Sequence, residues 1–354
     1  MNLINSERFV KPISAVIFGG AGAEHKVSVM SAENILAKAK ERGISVLPVY
    51  ISEDGGWYVF DKELSPLLDD RASFDPSRLS ETYPVRLGKV SGFFYNGEII
   101  RVSRALVLLH GNRGEDGEIQ GALLSCGIPY FGESVIASAI AADKEQSKLV
   151  ADSLGIPTAR SVTLRSDMNI SDAVRLAQEW IGYPCFIKPA ALGSSIGAGR
   201  ADSSAELIHR IEIAFSVSEK ILCEEAFTDK RELECAYLSV DGSEIITHPG
   251  EILCDGFYDY YAKYGSPRAT VARANVTDEI SKRIKDYTAR LARAVGIRKM
   301  GRFDYFLLPS GNVIFNEINA IPGMTYDSLY PKMLEAFGIS FGELVSILLG
   351  GALW

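Results

Sequence analysis

The chain has 354 residues, of which 47% are hydrophobic and 23% are charged, and its formal net charge is −8. This length suits two or three domains with a sizeable core. The acidic balance, without long runs of one sign, argues against a nucleic acid or an anionic membrane as the main partner. The sequence has no run of about 18 apolar residues and no secretory signal pattern, so we expect a soluble, cytoplasmic protein.

The cysteines are odd in number and scattered, and no CxxC pair occurs. Their apolar surroundings predict buried free thiols in a reducing compartment. They are Cys126, Cys185, Cys223, Cys235 and Cys254.

The first elements form a βαβ unit. An apolar strand over residues 13–18 leads through a glycine-rich loop into a helix over residues 27–42, and a second strand follows over residues 45–51. Such units build parallel sheets that bind ligands at the carboxyl ends of their strands. The dinucleotide fingerprint G-x-G-x-x-G fails, because His25 stands where a third glycine should follow Gly20 and Gly22. A nicotinamide cofactor is therefore not expected.

A second candidate ligand loop follows a buried strand predicted over residues 105–109. His110, Glu115 and Asp116 lie in a glycine-rich segment before a helix that begins at Glu118. Two interpretations are open: these polar side chains bind a ligand at the strand end, or they only make the turn. Residues 128–132 read as a further short strand.

The middle of the chain carries a candidate phosphate site. A helix is predicted to open at residues 141–144 and to run to about residue 154, and a strand over residues 183–189 has Lys188 near its end. The Gly/Ser loop Gly193–Gly197 follows, and although it is not a P-loop, Lys188 beside it favours phosphate binding. A strand over residues 220–225 ends in Glu224 and Glu225, and Glu232 lies soon after.

Near the C-terminus, alternating apolar and polar residues on either side of residues 309–312 predict a β-hairpin. The expected pairs are Leu308–Val313, Phe306–Phe315, Asp304–Glu317 and Arg302–Asn319. The last two pairs then project from one face. Two facing carboxylates repel unless a cation lies between them, and oxygen ligands of this kind suit Mg²⁺. The alternative is a solvated hairpin face, but the irregular Gly/Pro loop that follows favours a metal–phosphate site. A helix over residues 278–295 has one apolar stripe and is predicted to be scaffold.

Several of these segments together resemble the D-alanine–D-alanine ligases. They occur in the order typical of that family and span residues 13–350. The segments are Gly20–Ser28, His110–Gly117, Asp143–Lys144, Gly193–Gly197, Phe257–Tyr264, Asn316–Asn319 and Pro322–Thr325. The resemblance implies an α/β and α+β chain with an ATP-grasp fold and an N-terminal Rossmann-like domain. It implies a Rossmann-like domain over residues 1–142, a central lid domain over 143–228 and a C-terminal domain over 229–354.

The same resemblance implies an ATP-dependent ligase. ATP phosphorylates the carboxylate of one D-alanine, and the amine of a second D-alanine attacks the acyl phosphate to give D-alanyl-D-alanine for peptidoglycan synthesis. The co-substrate would be ATP with two Mg²⁺ or Mn²⁺ ions, the partners would be small molecules rather than nucleic acid or membrane, and the assembly would be a homodimer.

By the motifs of the family, the metal ligands would be Asp304, Glu317 and Asn319. The ATP-binding residues would be Lys144, Lys188, Glu224, Glu225, Glu232, Lys263 and Asn316. Lys263 would reach the γ-phosphate, Glu232 would bind ribose, and Glu225 would receive adenine, with Glu224 as the alternative for that role.

The amino-acid site would use residues from several segments, in the following roles. Glu24 would bind the first ammonium group with His110 nearby, and Ser194 and Tyr264 would link to Glu24. Arg302 and the Gly323 N–H would stabilise the acyl phosphate and the tetrahedral intermediate. Ser328 and the Leu329 N–H would hold the second carboxylate. Two alternatives remain at this point: His110 could be a structural histidine, and Tyr264 could be a packing residue.

The sequence departs from the family pattern mainly near the second amino-acid subsite. The departures are Lys26, Leu192, Ala320, the pair Tyr326–Asp327 and the loop after Tyr264. Leu329 resembles the enzymes that use D-alanine, whereas relatives that accept D-serine often have Arg there, and Tyr264 argues against D-lactate users. A D-alanine–D-serine ligase and a catalytically inactive ATP-binding regulatory module are the alternatives, and the intact metal and Arg302 set argues against the second.

Overall fold

A computed structural model describes residues 13–22, 24–61, 64, 67, 79–111, 113–253 and 269–350. Its N-terminal part is a six-stranded sheet with the order β4-β3-β2-β1-β8-β9, in which β2, β1, β8 and β9 are parallel. The strands are β1 (Ile13–Gly19), β2 (Val46–Ile51), β3 (Trp57–Val59), β4 (Ser80–Glu81), β8 (Val102–Val107) and β9 (Tyr130–Phe131). The predicted βαβ unit is confirmed, since helix α1 (His25–Glu41) joins β1 to the parallel neighbour β2.

Beside this sheet lies a small antiparallel sheet of three strands, β5 (Tyr83–Leu87), β6 (Val90–Tyr95) and β7 (Glu98–Ile100). Helices α2 (Glu118–Ser125) and α3 (Val135–Ala142) follow. The strand predicted over residues 128–132 is reduced to the two residues of β9.

The predicted helix at residues 141–154 is two helices. Residues 141 and 142 end α3, and α4 (Lys144–Ser153) begins after Asp143, which has an extended backbone. The Asp143 carboxylate accepts hydrogen bonds from the N–H groups of Glu145 and Gln146, so it is the N-cap of α4. The buried Ala151 of α4 belongs to the core of the C-terminal sheet.

The middle part has its own core and an antiparallel sheet with the order β10-β13-β11-β12. The elements are β10 (Ser161–Arg165), α5 (Ile170–Trp180), β11 (Cys185–Pro189), β12 (Gly199–Ala201), α6 (Ser204–Phe215) and β13 (Lys220–Glu225). Both helices pack through apolar faces, which bury Ala173, Ala177, Leu207 and Ile211. The sheet thus presents the end of β11, with Lys188, toward the next domain.

The C-terminal part is an antiparallel sheet with the order β17-β16-β14-β18-β19, and β15 pairs with β14. The elements are β14 (Arg231–Val240), β15 (Ser243–Ile246), β16 (Gly250–Leu253), β17 (Ala269–Val271), α7 (Asp278–Val295), β18 (Met300–Leu307), β19 (Val313–Asn319), α8 (Leu329–Phe337) and α9 (Phe341–Leu349). As predicted, α7 is scaffold: its apolar stripe buries Ile284, Leu291 and Val295.

The predicted hairpin is β18–β19, and its inner register is as expected. Asp304 pairs with Glu317, and Arg302 pairs with Asn319. The outer register is wrong, because Phe315 pairs with Tyr305 instead of Phe306 and Val313 pairs with Leu307 instead of Leu308. A β-bulge at Asn316 absorbs the extra residue, and a bulge turns two consecutive side chains to one side.

The N-terminal and C-terminal sheets are joined by a buried carboxylate. Glu133, 2% exposed, follows β9 and accepts hydrogen bonds from the backbone N–H groups of Arg298, Lys299 and Met300 at 2.6, 2.8 and 2.9 Å. It therefore holds the first residues of β18 against the N-terminal domain.

The cysteines that the structure describes are all free thiols. Cys185, Cys223 and Cys235 are buried as predicted, whereas Cys126 is only half-buried and Cys254 lies outside the described residues. Within the described ranges, no helix has the length and apolar character needed to cross a membrane.

Candidate active site

Two adjoining cavities lie between the six-stranded N-terminal sheet, the middle sheet and the C-terminal sheet, with volumes of about 500 and 600 Å³. The first extends toward the N-terminal domain and the loop after β19, and the second extends between the middle sheet and β14. Side chains that line both cavities include Lys144, Ser194, Glu234, Arg302 and Glu317. A molecule in one cavity can therefore react with a molecule in the other at this shared wall.

The polar face of the β18–β19 hairpin lies where the two cavities meet. The Arg302 guanidinium binds both oxygens of Asp304, with Nε–Oδ1 and Nη2–Oδ2 distances of 2.8 and 2.7 Å, and lies 3.3 Å from Glu234. Burial by itself would lower the pKa of Arg302, but Asp304 and Glu234 together raise it well above its ordinary value. A permanent cation is thus fixed where the two cavities meet.

The predicted metal ligands share this face, and their chemistry fits Mg²⁺. Asp304 and Glu317 supply carboxylates, and the side-chain oxygen of Asn319 accepts a hydrogen bond from the Ile321 N–H at 3.2 Å. Within the described residues, no three His, Cys, Asp or Glu side chains form a metal-binding cluster by themselves. Two carboxylates and an amide are an open set, of the kind that Mg²⁺ completes with substrate phosphates and water.

Two lysines reach the hairpin from the other side. The Lys144 Nζ lies 3.2 Å from the Glu317 carboxylate and donates to the Leu192 carbonyl at 2.8 Å. The Lys188 Nζ, at the end of β11, donates to Asn316 Oδ1 at 3.0 Å. The bulge explains this pairing, because Asn316 and Glu317 both meet a lysine in the cleft. Both ammonium groups therefore lie where an anion in the cleft would meet them.

The two acids at the end of β13 point in different directions, as alternation along a strand requires. Glu224 is buried between Lys188 and Lys148, at 2.8 and 2.9 Å. The side chain of Glu225 instead binds the backbone N–H and the guanidinium of Arg160. Both candidates for adenine, Glu224 and Glu225, line the second cavity, and their side chains have different partners. Which of the two receives adenine stays a prediction.

Electrostatics in this group follow from its burial. Burial lowers the pKa of Lys188 to about 8, against the opposing effect of Glu224. Burial alone would raise the pKa of Glu224, but Lys148 and Lys188 lower it. Glu232, the residue expected at ribose, lines the second cavity and pairs with Lys230 at 2.9 Å.

In the first cavity, Glu24 lies directly before α1 and its carboxylate contacts the Ser194 hydroxyl. Ser194 has a φ of +51°, a left-handed conformation that costs energy for a residue other than glycine. A Cβ on Gly111 or on Gly193 would stand 2.6 or 2.9 Å from the Glu24 carboxylate. These two glycines therefore allow their loops to approach Glu24 closely.

His110 is buried beside the same pocket. Its Nδ1 lies 3.3 Å from Glu115 Oε1, and its Nε2 lies 3.4 Å from the Ser31 hydroxyl. Burial raises the pKa of Glu115, which the nearby His110 opposes. The ring lines the cavity and is also held on both sides, so the ligand and structural interpretations of His110 are compatible.

The loop after β19 closes the other end of the first cavity. A Cβ on Gly323 would stand 2.8 Å from the Ser328 hydroxyl, so glycine is required for this close approach. Ser328 precedes α8 and its hydroxyl contacts Thr325 rather than capping the helix. The Leu329 side chain is buried against Gly250, and residues 328–330 at the start of α8 line the first cavity.

Family models place this site among known proteins. The model described as "D-ala D-ala ligase N-terminus" matches residues 14–133, and the model described as "D-ala D-ala ligase C-terminus" matches residues 150–350. The chain belongs to the D-alanine–D-alanine ligase family. The expected family, the ATP-grasp fold and the ATP-dependent ligase class are thereby confirmed.

Individual members of the family are similar over nearly their whole length. The D-alanine–D-alanine ligase of Chlorobium limicola is 37% identical, over 96% of this chain and 96% of the relative. The D-alanine–D-alanine ligase of Deinococcus radiodurans is 36% identical, over 96% of this chain and 97% of the relative. The crystal structure of the VanG D-Ala:D-Ser ligase from Enterococcus faecalis superposes with a TM-score of 0.84 at 32% identity, over 96% of this chain and 99% of that one. The crystal structure of D-alanyl-alanine synthetase A from Vibrio cholerae superposes with a TM-score of 0.81 at 30% identity, over 96% of this chain and 98% of that one.

The ligase-family motifs predicted most of the cleft, but two groups differ. Lys263 and Tyr264 lie outside the described residues, so their roles stay predictions. Four residues that no motif singled out contact the predicted site, and the contacts of two of them join segments more than a hundred residues apart: Ser31, Asn34, Lys148 and Glu234. None of the four carried a local signal in the sequence.

Proposed function

We propose that the protein joins two molecules of D-alanine to D-alanyl-D-alanine for peptidoglycan synthesis. The γ-phosphoryl group of ATP passes to a carboxylate oxygen of the first D-alanine, which gives an acyl phosphate and ADP. The amine of the second D-alanine then attacks the acyl carbon, phosphate leaves, and the ammonium proton is released. The observation that carries this proposal is the meeting of the two cavities at Lys144, Arg302 and Glu317.

The residues divide by cavity. In the second cavity, Glu224 accepts a hydrogen bond from adenine, Glu232 binds ribose, and Lys144 and Lys188 neutralise phosphate charge. In the first cavity, the carboxylate of Glu24 binds the first ammonium group. This arrangement is supported by the contact between Glu24 and Ser194, because Ser194 lies in the loop that follows β11 and Lys188. Fixing both reactants in this way removes most of the entropic cost of their encounter.

Arg302 stands at the reacting centre. Its buried guanidinium stabilises the negative charge that develops on the acyl phosphate and on the tetrahedral intermediate, and the Gly323 N–H donates to the oxyanion. Ser328 and the Leu329 N–H hold the second carboxylate at the N-terminus of α8, where the helix dipole favours an anion. Because only 17% of the Arg302 side chain is exposed, these interactions are screened less by water than they would be at the surface.

Asp304, Glu317 and Asn319 would hold two Mg²⁺ or Mn²⁺ ions. When bound, these ions would neutralise charge on the ATP phosphates. The support is the donor set itself, which is rich in oxygen and open toward the second cavity.

Three domains are proposed, over residues 1–142, 143–228 and 229–354. Separate sheets support this division, although α4, at the start of the proposed middle domain, contributes Ala151 to the core of the C-terminal sheet. We also propose that the ligase is a homodimer, on the family resemblance alone, and that it works in the cytoplasm, where the free thiols of the described cysteines would stay reduced.

The test is ADP release with D-alanine as the only amino acid, in the presence of millimolar Mg²⁺. The ligase reading predicts ADP release and D-alanyl-D-alanine in equal amounts, and Glu317→Gln should abolish both. Lys332→Ala is the control, because that lysine pairs with the exposed Asp327. ATP binding without ADP release would instead indicate the regulatory module.

A D-alanine–D-serine ligase is the second candidate, supported by the structural similarity to the D-Ala:D-Ser ligase of Enterococcus faecalis. The buried Leu329, at the position where D-serine users often have Arg, favours D-alanine. Competition decides between the two: with D-alanine and D-serine present in equal amounts, mass spectrometry should find D-alanyl-D-alanine as the main product. A mixed dipeptide as the main product would overturn the first choice.

A further inference from the structure

Helix α1 holds one residue of the loop after β19 by both of its backbone polar groups. The Met324 N–H donates to the Ser31 hydroxyl at 3.2 Å, and the Asn34 side-chain amide donates to the Met324 carbonyl at 3.3 Å. Ser31 and Asn34 lie one helical turn apart, so they face the loop together. They precede Met324 in the chain by 293 and 290 residues.

The peptide held by Ser31 is the one that joins Gly323 to Met324. Glycine has more backbone freedom than any other residue, and a Cβ at position 323 would stand 2.8 Å from the Ser328 hydroxyl. The Ser31 hydroxyl holds the peptide on the C-terminal side of Gly323 from the N-terminal domain. It thereby restrains the conformation of the residue whose own N–H is the proposed oxyanion donor.

Ser31 also contacts His110, which lines the first cavity. Its hydroxyl, which is fully buried, lies 3.4 Å from His110 Nε2, and His110 Nδ1 faces Glu115. A hydroxyl that accepts from the Met324 N–H has one proton to donate. If that proton goes to His110 Nε2, the ring proton is on Nδ1 and points to Glu115. Each group then donates to the next, from the Met324 N–H through the Ser31 hydroxyl and the His110 ring to the Glu115 carboxylate.

We propose that Ser31 is a positioning residue that restrains the Gly323–Met324 peptide, and with it the conformation of Gly323, and that also fixes the Nδ1–H tautomer of His110. Asn34 holds the other side of the same loop residue. This inference rests on the proposed ligase function and deepens it, because it assigns the geometry of the oxyanion donor to a helix of the first domain. Neither Ser31 nor Asn34 contacts the reacting atoms.

The kinetic test compares Ser31→Ala, Asn34→Ala and the matched control Ser346→Ala. Ser346 is also a buried serine that contacts α1, but it accepts from Arg42 Nε at 2.7 Å, just beyond the other end of the helix. A misplaced donor can cost up to about 10²-fold in rate, so we expect kcat to fall about 10²-fold in Ser31→Ala and about tenfold in Asn34→Ala. The KM for ATP should stay within twofold of its original value, and Ser346→Ala should keep its kcat.

A spectroscopic test follows the hydrogen bonds directly. In protein labelled with ¹⁵N-histidine, long-range ¹H–¹⁵N correlations report which ring nitrogen of His110 carries the proton. We expect the Nδ1–H tautomer in the original protein and a mixture of tautomers in Ser31→Ala, with His248 as an internal reference, because its ring is bonded to Ser281 and Ala274 instead.

The outcomes are separable. An Nε2–H tautomer of His110 in the original protein, or equal losses of kcat in Ser31→Ala and Ser346→Ala, would overturn the role given to Ser31. Failure of the original protein to release ADP with D-alanine would overturn the proposed function. The tautomer measurement still decides the hydrogen-bond direction in that case.

Discussion

Arg302 and Asp304 lie two residues apart on β18, and their side chains form an ion pair through two hydrogen bonds of 2.8 and 2.7 Å. Asp304 is also a proposed metal ligand. A divalent ion held by Asp304 would share this carboxylate with the Arg302 guanidinium and would weaken the ion pair, which would leave Arg302 freer to bind the acyl phosphate.

The first prediction concerns Arg302→Ala. Removal of one transition-state donor typically costs 10²- to 10³-fold, so turnover should fall by at least about 10²-fold while ATP still binds. Because Asp304 then lacks its cation, Mg²⁺ should raise the melting temperature of Arg302→Ala more than that of the original protein. ADP release and Mg²⁺ titrations by thermal shift measure the two effects.

Arg302→Lys is the control for this first prediction, since it keeps a positive charge but loses the two-bond geometry. It should lower turnover with a smaller change in the response to Mg²⁺. Unchanged turnover in Arg302→Ala would show that the role given to Arg302 is wrong.

The second prediction is a pH dependence of ATP binding. Burial lowers the pKa of Lys188 to about 8, so its ammonium is charged below that pH and loses its proton above it. The affinity for ATP should therefore fall as the pH rises through about 8. Calorimetric titrations across this range at fixed Mg²⁺ measure the effect. Lys188→Arg stays charged throughout, and its affinity should change less. Parallel profiles for both proteins would contradict the assignment.

The third prediction concerns the space around Glu24. The methyl group of Gly193→Ala would stand 2.9 Å from Glu24 Oε2, so the carboxylate must move away from its position next to Ser194. We expect the KM for the first D-alanine to rise about tenfold, which corresponds to about 1.4 kcal/mol. Gly121→Ala is the control, because its methyl group would meet only Val135 at 3.8 Å. A similar KM in both variants would argue against the role of Glu24.

The fourth prediction concerns stability. In Glu133→Gln, an NH₂ group replaces one of two oxygens that accept backbone N–H groups before and at the start of β18. An unmatched buried donor costs about 1–3 kcal/mol, so the free energy of unfolding in urea should fall by that amount. Glu81→Gln, at an exposed position in β4, should change stability by less than about 0.5 kcal/mol. Equal values for the two variants would contradict the role of Glu133.

Sequence patterns predicted the elements whose signal is local. Alternation in β18 and β19 predicted that Asp304 and Glu317 face each other, and the period of α7 predicted its buried stripe. The bulge was not predicted, because one extra residue in a strand leaves the alternation on each side of it intact. The outer pairs of the hairpin were therefore shifted by one residue.

Contacts between distant segments were also beyond prediction. Nothing next to Glu133 or Ser31 in the sequence indicates a partner 165 or 293 residues away. Family motifs supplied Glu24, Ser194 and Asn316 for the same site. They did not predict that Glu224 lies between two lysines while Glu225 binds Arg160, because these partners come from separate segments of the chain.

The bulge at Asn316 makes the length of β19 as important as its composition. Deleting Asn316 would give an ordinary hairpin ladder that keeps Glu317 opposite Asp304, and the shortened chain would fold with one fewer irregularity. It would also remove the hydrogen bond between Lys188 of the middle sheet and Asn316 of the hairpin. A regular strand would therefore lack one of the contacts that hold the proposed phosphate-binding lysine against the hairpin.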